Sequence, residues 1–280
     1  MKLASWIICL VGIWIGLTAT RAAAQAEVGV NIDQPIQEIF QTGLVYPQDK
    51  GEVQLTYTSR FSTGSGEKLW RSQVAVEYGI TDRWQVEFEW EARRSRTLIG
   101  APPASGPADL AIGTQYSFMK IRGSNVHSAI GLEVSLPVGS VEDDLNEGLV
   151  EVEPYFIIAK DFPRLKNLQL FSQVSVALVH RTKQPGEEIV EEPVAHEFNL
   201  GLGMFLPFRD LVITGEFNFS SNRWNHRGQE REMFVTPGIV WRLPRNWEIG
   251  IGAPQGLSQG SAKHGLVVKI VAEFNLWSDR

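Results

Sequence analysis

The chain has 280 residues, of which 26 are Lys or Arg, 32 are Asp or Glu, and 43% are hydrophobic. Its net charge of −6 gives it no electrostatic reason to bind nucleic acid. After the first two dozen residues no long apolar run occurs, which excludes a core of transmembrane helices, since each needs about 20 consecutive apolar residues.

The N-terminus has the three parts of a secretory signal peptide. Lys2 precedes an apolar run at 6–17, and three alanines at 22–24 form a small-residue cleavage site. We expect cleavage after Ala24, with Ala26 as the second choice, so that residues 1–24 are the signal peptide. The alternative is an uncleaved N-terminal membrane anchor.

Cleavage changes both the charge and the cysteine content of the chain. It removes two basic residues, Lys2 and Arg21, which leaves 24 basic against 32 acidic side chains and a net charge of −8. It also removes the only cysteine, Cys9. An exported protein without cysteine is not a small domain stapled by disulfides.

Residues 25–50 show no regular alternation of apolar and polar side chains. We interpret them as a periplasmic lead-in to the domain that follows. The sequence leaves open the alternative that they enter the lumen of that domain.

From residue 51 onwards, apolar and polar side chains alternate in twelve segments, the period expected of strands with one apolar face. In the predicted strand 69–78, for example, Trp70, Val74 and Val76 lie on one face, and Arg71 and Glu77 lie on the other. The predicted strands are 51–61, 69–78, 84–92, 108–119, 125–136, 149–160, 168–180, 194–206, 211–220, 232–243, 247–253 and 265–277. We expect bulges at Pro154 and Pro237, because a proline removes one ladder hydrogen bond.

The connections between these strands alternate strictly between short and long, and aromatic side chains gather near both ends of the strands. Both features are typical of outer-membrane barrels. We predict that residues 51–280 form an all-β, twelve-stranded antiparallel transmembrane up-and-down β-barrel with short periplasmic turns and longer outer loops. It would lie in the outer membrane of a Gram-negative bacterium. The alternative is a secreted sandwich or a lipocalin-like barrel.

Four short phrases carry a family resemblance: YGITDR at 78–83, KGE at 50–52, GPADLAIG at 106–113 and EVSLPVG at 133–139. They resemble motifs of a family of Gram-negative outer-membrane proteins labelled as MetA-pathway phenol-degradation proteins, or simply as transporters. The resemblance implies a barrel without catalytic residues that takes up aromatic or other small hydrophobic compounds.

The polar face of the predicted strands carries many charged side chains, and acids outnumber bases. The predicted lumen lining is Arg71, Glu77, Glu87, Glu89, Glu91, Glu133, Glu153, Glu197, Glu216, Arg242, Glu248, Lys269 and Glu273. A water-filled lumen with this lining would favour cations or neutral solutes over anions. The alternative is that the basic side chains pair with glutamates and brace a narrow, nearly closed lumen.

Other charged groups suggest further sites. Glu87, Glu89 and Glu91 share a face and could hold a divalent cation, or simply be part of the solvated lining. The acidic runs at 142–144 and 187–188 could bridge lipopolysaccharide through divalent cations, or simply be solvated. Ser221 and His226 have the residue types of a rim-located hydrolase but no motif.

We therefore expect a channel or transporter for small solutes, including hydrophobic or aromatic compounds, and no enzyme. The alternatives are a structural outer-membrane barrel with a braced lumen, or a rim-located outer-membrane hydrolase. We predict no catalytic, cofactor or metal site. The expected partners are outer-membrane lipid and lipopolysaccharide, the barrel-assembly machinery and a small-molecule solute, but no nucleic acid.

Overall fold

The computed structural model describes residues 36, 39–64, 66–141, 145–146, 148–181, 196–221 and 231–276. All of them belong to the compact unit Gln34–Arg280. The predicted signal peptide lies outside the described residues and stays a prediction. No helix among the described residues is long and apolar enough to cross a membrane.

Fourteen strands are present in the described part of the chain. In chain order they are β1 (Glu52–Gly64), β2 (Glu67–Thr81), β3 (Trp84–Leu98), β4 (Ala104–Gly106), β5 (Asp109–Phe118), β6 (Val126–Pro137), β7 (Leu149–Phe162), β8 (Leu168–Arg181), β9 (Glu197–Phe208), β10 (Leu211–Ser221), β11 (Arg231–Leu243), β12 (Trp247–Gly252), β13 (Gln255–Gly256) and β14 (His264–Asn275). Two 3-10 turns, Ile121–Gly123 and Pro163–Leu165, lie in the connections after β5 and β7.

Twelve of these strands form a closed antiparallel barrel, while the short β4 and β13 extend its rim. Each long strand pairs with the next one along the barrel, and β1 pairs with β14 from Glu52–Asn275 to Thr63–His264. Closure leaves no unpaired edge, which a membrane would not tolerate. The prediction of a twelve-stranded antiparallel barrel is confirmed.

The two faces of the wall have opposite environments. Phe88, on the outward parity of β3, is 45% exposed, whereas Phe205, on the inward parity of β9, is fully buried. Exposed aromatic side chains lie at both ends of the outward face, with Trp84 and Trp241 at the short-turn end and Phe61 and Trp90 at the other. The barrel therefore turns its apolar face outwards, as lipid requires.

The strands at the long-loop end extend beyond their predicted bounds. β1 and β2 continue to a two-residue connection at 65–66, and β3 continues to Leu98, so the predicted loops at 62–68 and 93–107 are largely strand. Beyond the membrane both faces of a hairpin meet water, so strand pairing continues where the apolar alternation has stopped.

A bulge on β3 reverses the parity at the end of the apolar pattern. Gln73 pairs with Glu91 and Ser72 with Arg93, which leaves Ala92 without a partner on β2. Both Glu91 and Arg94 consequently face inwards, although a strict period of two would place them on opposite faces.

The bulges expected at the two prolines are not present. Leu132 pairs with Pro154 and Gly215 with Pro237 without a shift of register. The neighbouring ladder is interrupted instead, since Glu153 and Pro154 have no pairing partner on β8. A missing hydrogen bond is accommodated by a local gap and requires no extra residue.

The assignment of the outward face to lipid predicts that a charge introduced on it destabilises the folded barrel. Val76 lies on the outward parity near the middle of β2 and is 36% exposed. Val76→Arg should reduce the folded fraction in lipid vesicles, because arginine near the bilayer midplane costs about 2–4 kcal/mol. The heat-modifiable band on a gel measures folding.

Trp84→Arg is the control for this prediction, because Trp84 lies at the short-turn end of the same face. Arginine near an interface costs about 0–1 kcal/mol, so this variant should fold nearly as well as the parent chain. Equal folding of the two variants would contradict the assignment of the outward face.

Candidate functional site

Residues 39–50, the N-terminal segment, lie inside the barrel. Phe40, Val45 and Gln48 are at most 3% exposed, and the backbone of the segment bonds to inward side chains of β3, β8 and β10. Of the two interpretations of 25–50, entry into the lumen therefore holds for this part, and the periplasmic lead-in does not. Of the residues before 39, only Ile36 is described, and it is fully buried.

The segment enters the barrel over Gly79. The amide of Gly51 donates to the carbonyl of Gly79 at 2.8 Å, and a β-carbon at Gly79 would lie 2.0 Å from the carbonyl oxygen of Asp49. Only glycine leaves room for this crossing. Burial, together with the nearby carboxylate of Asp82, raises the pKa of Asp49, because both disfavour its ionised form.

A polar cluster fixes the segment just inside this entry. The amide of Gln48 donates to the Gln85 side chain at 2.8 Å, and its Nε2 donates to Gln54 at 2.8 Å. The carboxylate of Glu77 accepts from Gln54 at 2.9 Å and from Gln85 at 2.8 Å. All four side chains are buried, so the lumen here is a packed polar core.

The middle of the segment packs between apolar and polar groups of the opposite wall. The carbonyl of Leu44 accepts from Gln115 at 3.1 Å, and the hydroxyl of Tyr46 bonds to Gln169. Beside it, Nε2 of the buried His127 lies 2.8 Å from the carboxylate of Asp161. The short-turn half of the lumen is thus filled.

One carboxylate binds the segment at residues 40–42. Glu216, on β10, accepts the amides of Phe40, Gln41 and Thr42 at 3.0, 3.0 and 2.8 Å. Arg60, on β1, donates to the carbonyl of Phe40 at 2.8 Å. Three successive amides on one charged acceptor form an anchor, because hydrogen bonds to ionised groups are the strong ones.

The ring of Phe40 fills a notch made by three inward glycines. A β-carbon at Gly238, Gly250 or Gly252 would lie 2.1, 3.1 or 2.8 Å from the ring. Larger side chains at these positions would push the ring out, so the wall is shaped to the segment.

Beyond the segment, towards the long-loop end, the lumen opens into a cavity of about 790 Å³, the vestibule. Phe40, Gln41 and Thr42 are among its lining residues and form its floor. Among the described residues, five Lys or Arg and four Glu side chains line it: Arg60, Arg71, Arg94, Arg96, Lys269, Glu67, Glu89, Glu153 and Glu232.

An ion-pair network bounds the vestibule on one side. Arg94 donates to both carboxylate oxygens of Glu91 at 2.7 and 2.6 Å, to Asp109 at 3.0 Å and to the carbonyl of Leu145 at 2.9 Å. Leu145 and Asn146 are buried, so the connection after β6 folds into the barrel mouth here. Arg94 was not among the predicted lining residues, because residues 93–107 were predicted as a loop whereas β3 continues to Leu98.

All thirteen predicted lining residues occupy inward positions, but they divide into different environments. Glu77, Glu216 and Glu248 are buried in the filled half. Arg242 donates to the carbonyl of Arg209 at the short-turn rim, and Glu273 pairs in register with Gln54.

The other members lie nearer the vestibule or in it. Those that line it are Arg71, Glu89, Glu153 and Lys269. Glu133 lies opposite Glu153 on the neighbouring strand, Glu87 lies opposite Gly113, and Glu197 bonds to Ser220. Glu91 belongs to the Arg94 network. The acid excess is therefore concentrated outside the vestibule.

The suggested metal site and loop sites have different outcomes. Among the described residues, no three His, Cys, Asp or Glu side chains are placed to hold a metal ion, and Glu91 is engaged by Arg94. Residues 142–144, 187–188 and His226 lie outside the described residues, so the lipopolysaccharide contacts and the Ser221/His226 pair stay hypotheses.

The fold is similar to that of several solved structures. The COG4313 outer membrane channel from Pseudomonas putida F1 is similar with a TM-score of 0.63 at 11% identity, over 84% of this chain and 100% of that one. The KdgM porin is similar with a TM-score of 0.54 at 8% identity, over 79% and 99%. A KdgM porin in complex with disordered oligogalacturonate gives 0.51 at 8%, over 78% and 99%.

No protein-family model and no curated protein sequence matches the chain. The specific phenol-degradation label suggested by the short motifs is accordingly not confirmed. At these identities the structural likeness shows the fold alone, which is that of outer-membrane barrels.

The anchor at Glu216 can be tested by hydrogen exchange. Glu216→Gln should speed the exchange of the amides of Phe40, Gln41 and Thr42, because a neutral side chain cannot hold three donors as a carboxylate does. Glu133→Gln is the control, since Glu133 is also an inward carboxylate but bonds to Ser135. Unchanged exchange at 40–42 in Glu216→Gln would contradict the anchor.

Proposed function

We propose that the protein is an outer-membrane channel for small solutes and that the N-terminal segment restricts passage through it. The observation that carries this proposal is the shape of the lumen as the described residues form it, with a cavity towards the long-loop end and a filled short-turn end. The obstruction is a single peptide segment held by hydrogen bonds. A segment of this kind can move without unfolding the wall, because no strand that the structure describes pairs with it.

The nature of the vestibule supports hydrophilic solutes. Its lining is rich in charged and amide side chains, including Arg60, Gln73, Gln173 and Asn199. One of the similar structures is a porin in complex with oligogalacturonate, a polar solute, which supports the same class here. Uptake of hydrophobic or aromatic compounds rests on the motif resemblance alone.

The charges also suggest where selectivity arises. The vestibule is nearly balanced, whereas buried acids such as Glu77 and Glu248 face the lumen below it. We therefore propose that the preference for cations or neutral solutes belongs to passage through the short-turn half, once the segment has moved.

The outward face supports the expected setting. Its apolar band is suited to outer-membrane lipid, with lipopolysaccharide around the outer loops, and insertion would use the barrel-assembly machinery. The similar structures named above are channels and porins and not enzymes, which supports a non-enzymatic function.

A structural barrel with a braced lumen is the second candidate. It is favoured by the complete packing of the short-turn half, where Gln54, Gln169 and Phe205 are at most 1% exposed. In that case the segment would stay in place and no solute would pass.

Single-channel recording separates the two candidates. We expect the refolded mature protein to be closed most of the time in a planar bilayer, and Glu216→Gln to raise the open probability about tenfold. Loss of charged hydrogen bonds of about 1.5–3 kcal/mol accounts for a change of this size. Reversal potentials in a salt gradient should show cation preference.

Glu133→Gln should leave the open probability near that of the parent chain, since Glu133 does not hold the segment in the described part of the structure. If the parent chain and Glu216→Gln are both silent although both are folded by heat modifiability, the channel proposal fails and the braced barrel is favoured.

A further inference from the structure

We propose that Arg60 and Arg71 form a binding site in the vestibule for the carboxylate group of a small monoanionic solute. This inference deepens the proposed function and rests on it, because it names a class of solute that the vestibule receives. It concerns capture in the vestibule and not passage through the half below.

Three arginines lie side by side on the inner wall. Arg60 pairs in register with Arg71, and Arg71 pairs with Arg94, across β1, β2 and β3. All three line the vestibule. Like charges directly opposite each other destabilise neighbouring strands, so each arginine needs a compensating anion.

Arg94 has its compensation within the protein. Glu91 binds it through both carboxylate oxygens, and Asp109 supplies a second carboxylate at 3.0 Å. Both carboxylate oxygens of Glu91 therefore already accept hydrogen bonds from Arg94. Oε1 of Glu91 lies 3.9 Å from Nε of Arg71, which is at the upper limit for an ion pair.

Arg71 and Arg60 are much less satisfied. Arg71 donates no hydrogen bond to any residue that the structure describes, and its side chain is 36% exposed towards the vestibule. Arg60 uses one Nη2 donor, on the carbonyl of Phe40, and its Nε is enclosed without a partner among the described residues. Both side chains line the vestibule, and the contacts named above leave further N–H donors on each guanidinium group.

The chemistry of these donors suits an oxyanion. A guanidinium group presents parallel N–H donors that match the two oxygens of a carboxylate. Glu89, Glu153 and Glu232 line the same cavity and balance its charge, which disfavours a ligand with two negative charges. A monocarboxylate is therefore preferred over a phosphate dianion.

Isothermal titration calorimetry on the full mature chain in detergent micelles tests the site. The probes are benzoate, the neutral benzamide of nearly the same shape, and inorganic phosphate. We expect saturable binding of benzoate to one site, at least about tenfold tighter than benzamide and tighter than phosphate. Arg71→Gln should weaken benzoate binding at least about tenfold, because a charged hydrogen-bonding partner is lost.

Arg96→Gln is the matched control. Arg96 also lines the vestibule, but it forms an ion pair with Glu67 at 2.7 Å. The Arg96→Gln variant should change the affinity for benzoate about twofold at most. Arg71→Lys keeps the charge without the planar fork and should bind benzoate with intermediate affinity. Heat modifiability of each variant shows that the barrel is folded.

Two results would overturn the site: equal binding of benzoate and benzamide, or equal losses in Arg71→Gln and Arg96→Gln, which would indicate a diffuse field. Single-channel recording tests the channel proposal independently of this binding measurement. Benzoate binding to a protein that never conducts would refute the channel and leave the carboxylate site standing. Conduction without benzoate preference would refute only the site.

Discussion

A peptide segment inside a barrel must find hydrogen-bond partners for its backbone without a neighbouring strand, and this requirement shapes the interior of the protein. Buried amides and carbonyls are costly when unpaired. The wall supplies side chains for them, with Glu216 accepting three amides, Gln173 accepting that of Gly43 at 2.6 Å and Arg60 donating to a carbonyl. Many inward polar groups are thus partners of the segment rather than a lining for water.

The two halves of the lumen differ because residues 39–50 occupy only one of them. Between Phe40 and the short turns, the inward side chains are buried and the barrel has a packed core. On the long-loop side of Phe40, charged side chains line a cavity. The same residue types therefore have different functions along one strand. On β2, Glu77 holds the segment in the packed half, and Arg71 faces the vestibule.

The period of two along each strand was sufficient to predict the twelve strands and their antiparallel order. It failed where the backbone departs from that period. The apolar alternation stops at Ala92, so Arg94 was placed in a predicted loop, although β3 continues to Leu98 and the bulge at Ala92 sets Arg94 on the inward face. No local pattern could reveal the bulge, because the pairing partner that defines it lies on another strand.

The position of the N-terminal segment could not be read from its own residues, which follow no period. A signal was nevertheless present in the wall. Ile157, Phe171 and Phe205 are apolar at inward positions, where water would not favour them. Since the outward apolar faces are used by lipid, these side chains and the apolar residues of the segment could be buried only against each other.

A disulfide between the segment and the wall tests this account most directly. A β-carbon at Gly201, on β9, would lie 3.3 Å from that of Thr42, close to the separation in disulfides, and the only natural cysteine lies in the predicted signal peptide. The mature chain with Thr42→Cys and Gly201→Cys should form this bond on refolding in micelles, giving a mass lower by two hydrogens and no titratable thiol. Two free thiols in a folded barrel under oxidising conditions would contradict the placement of the segment in the lumen.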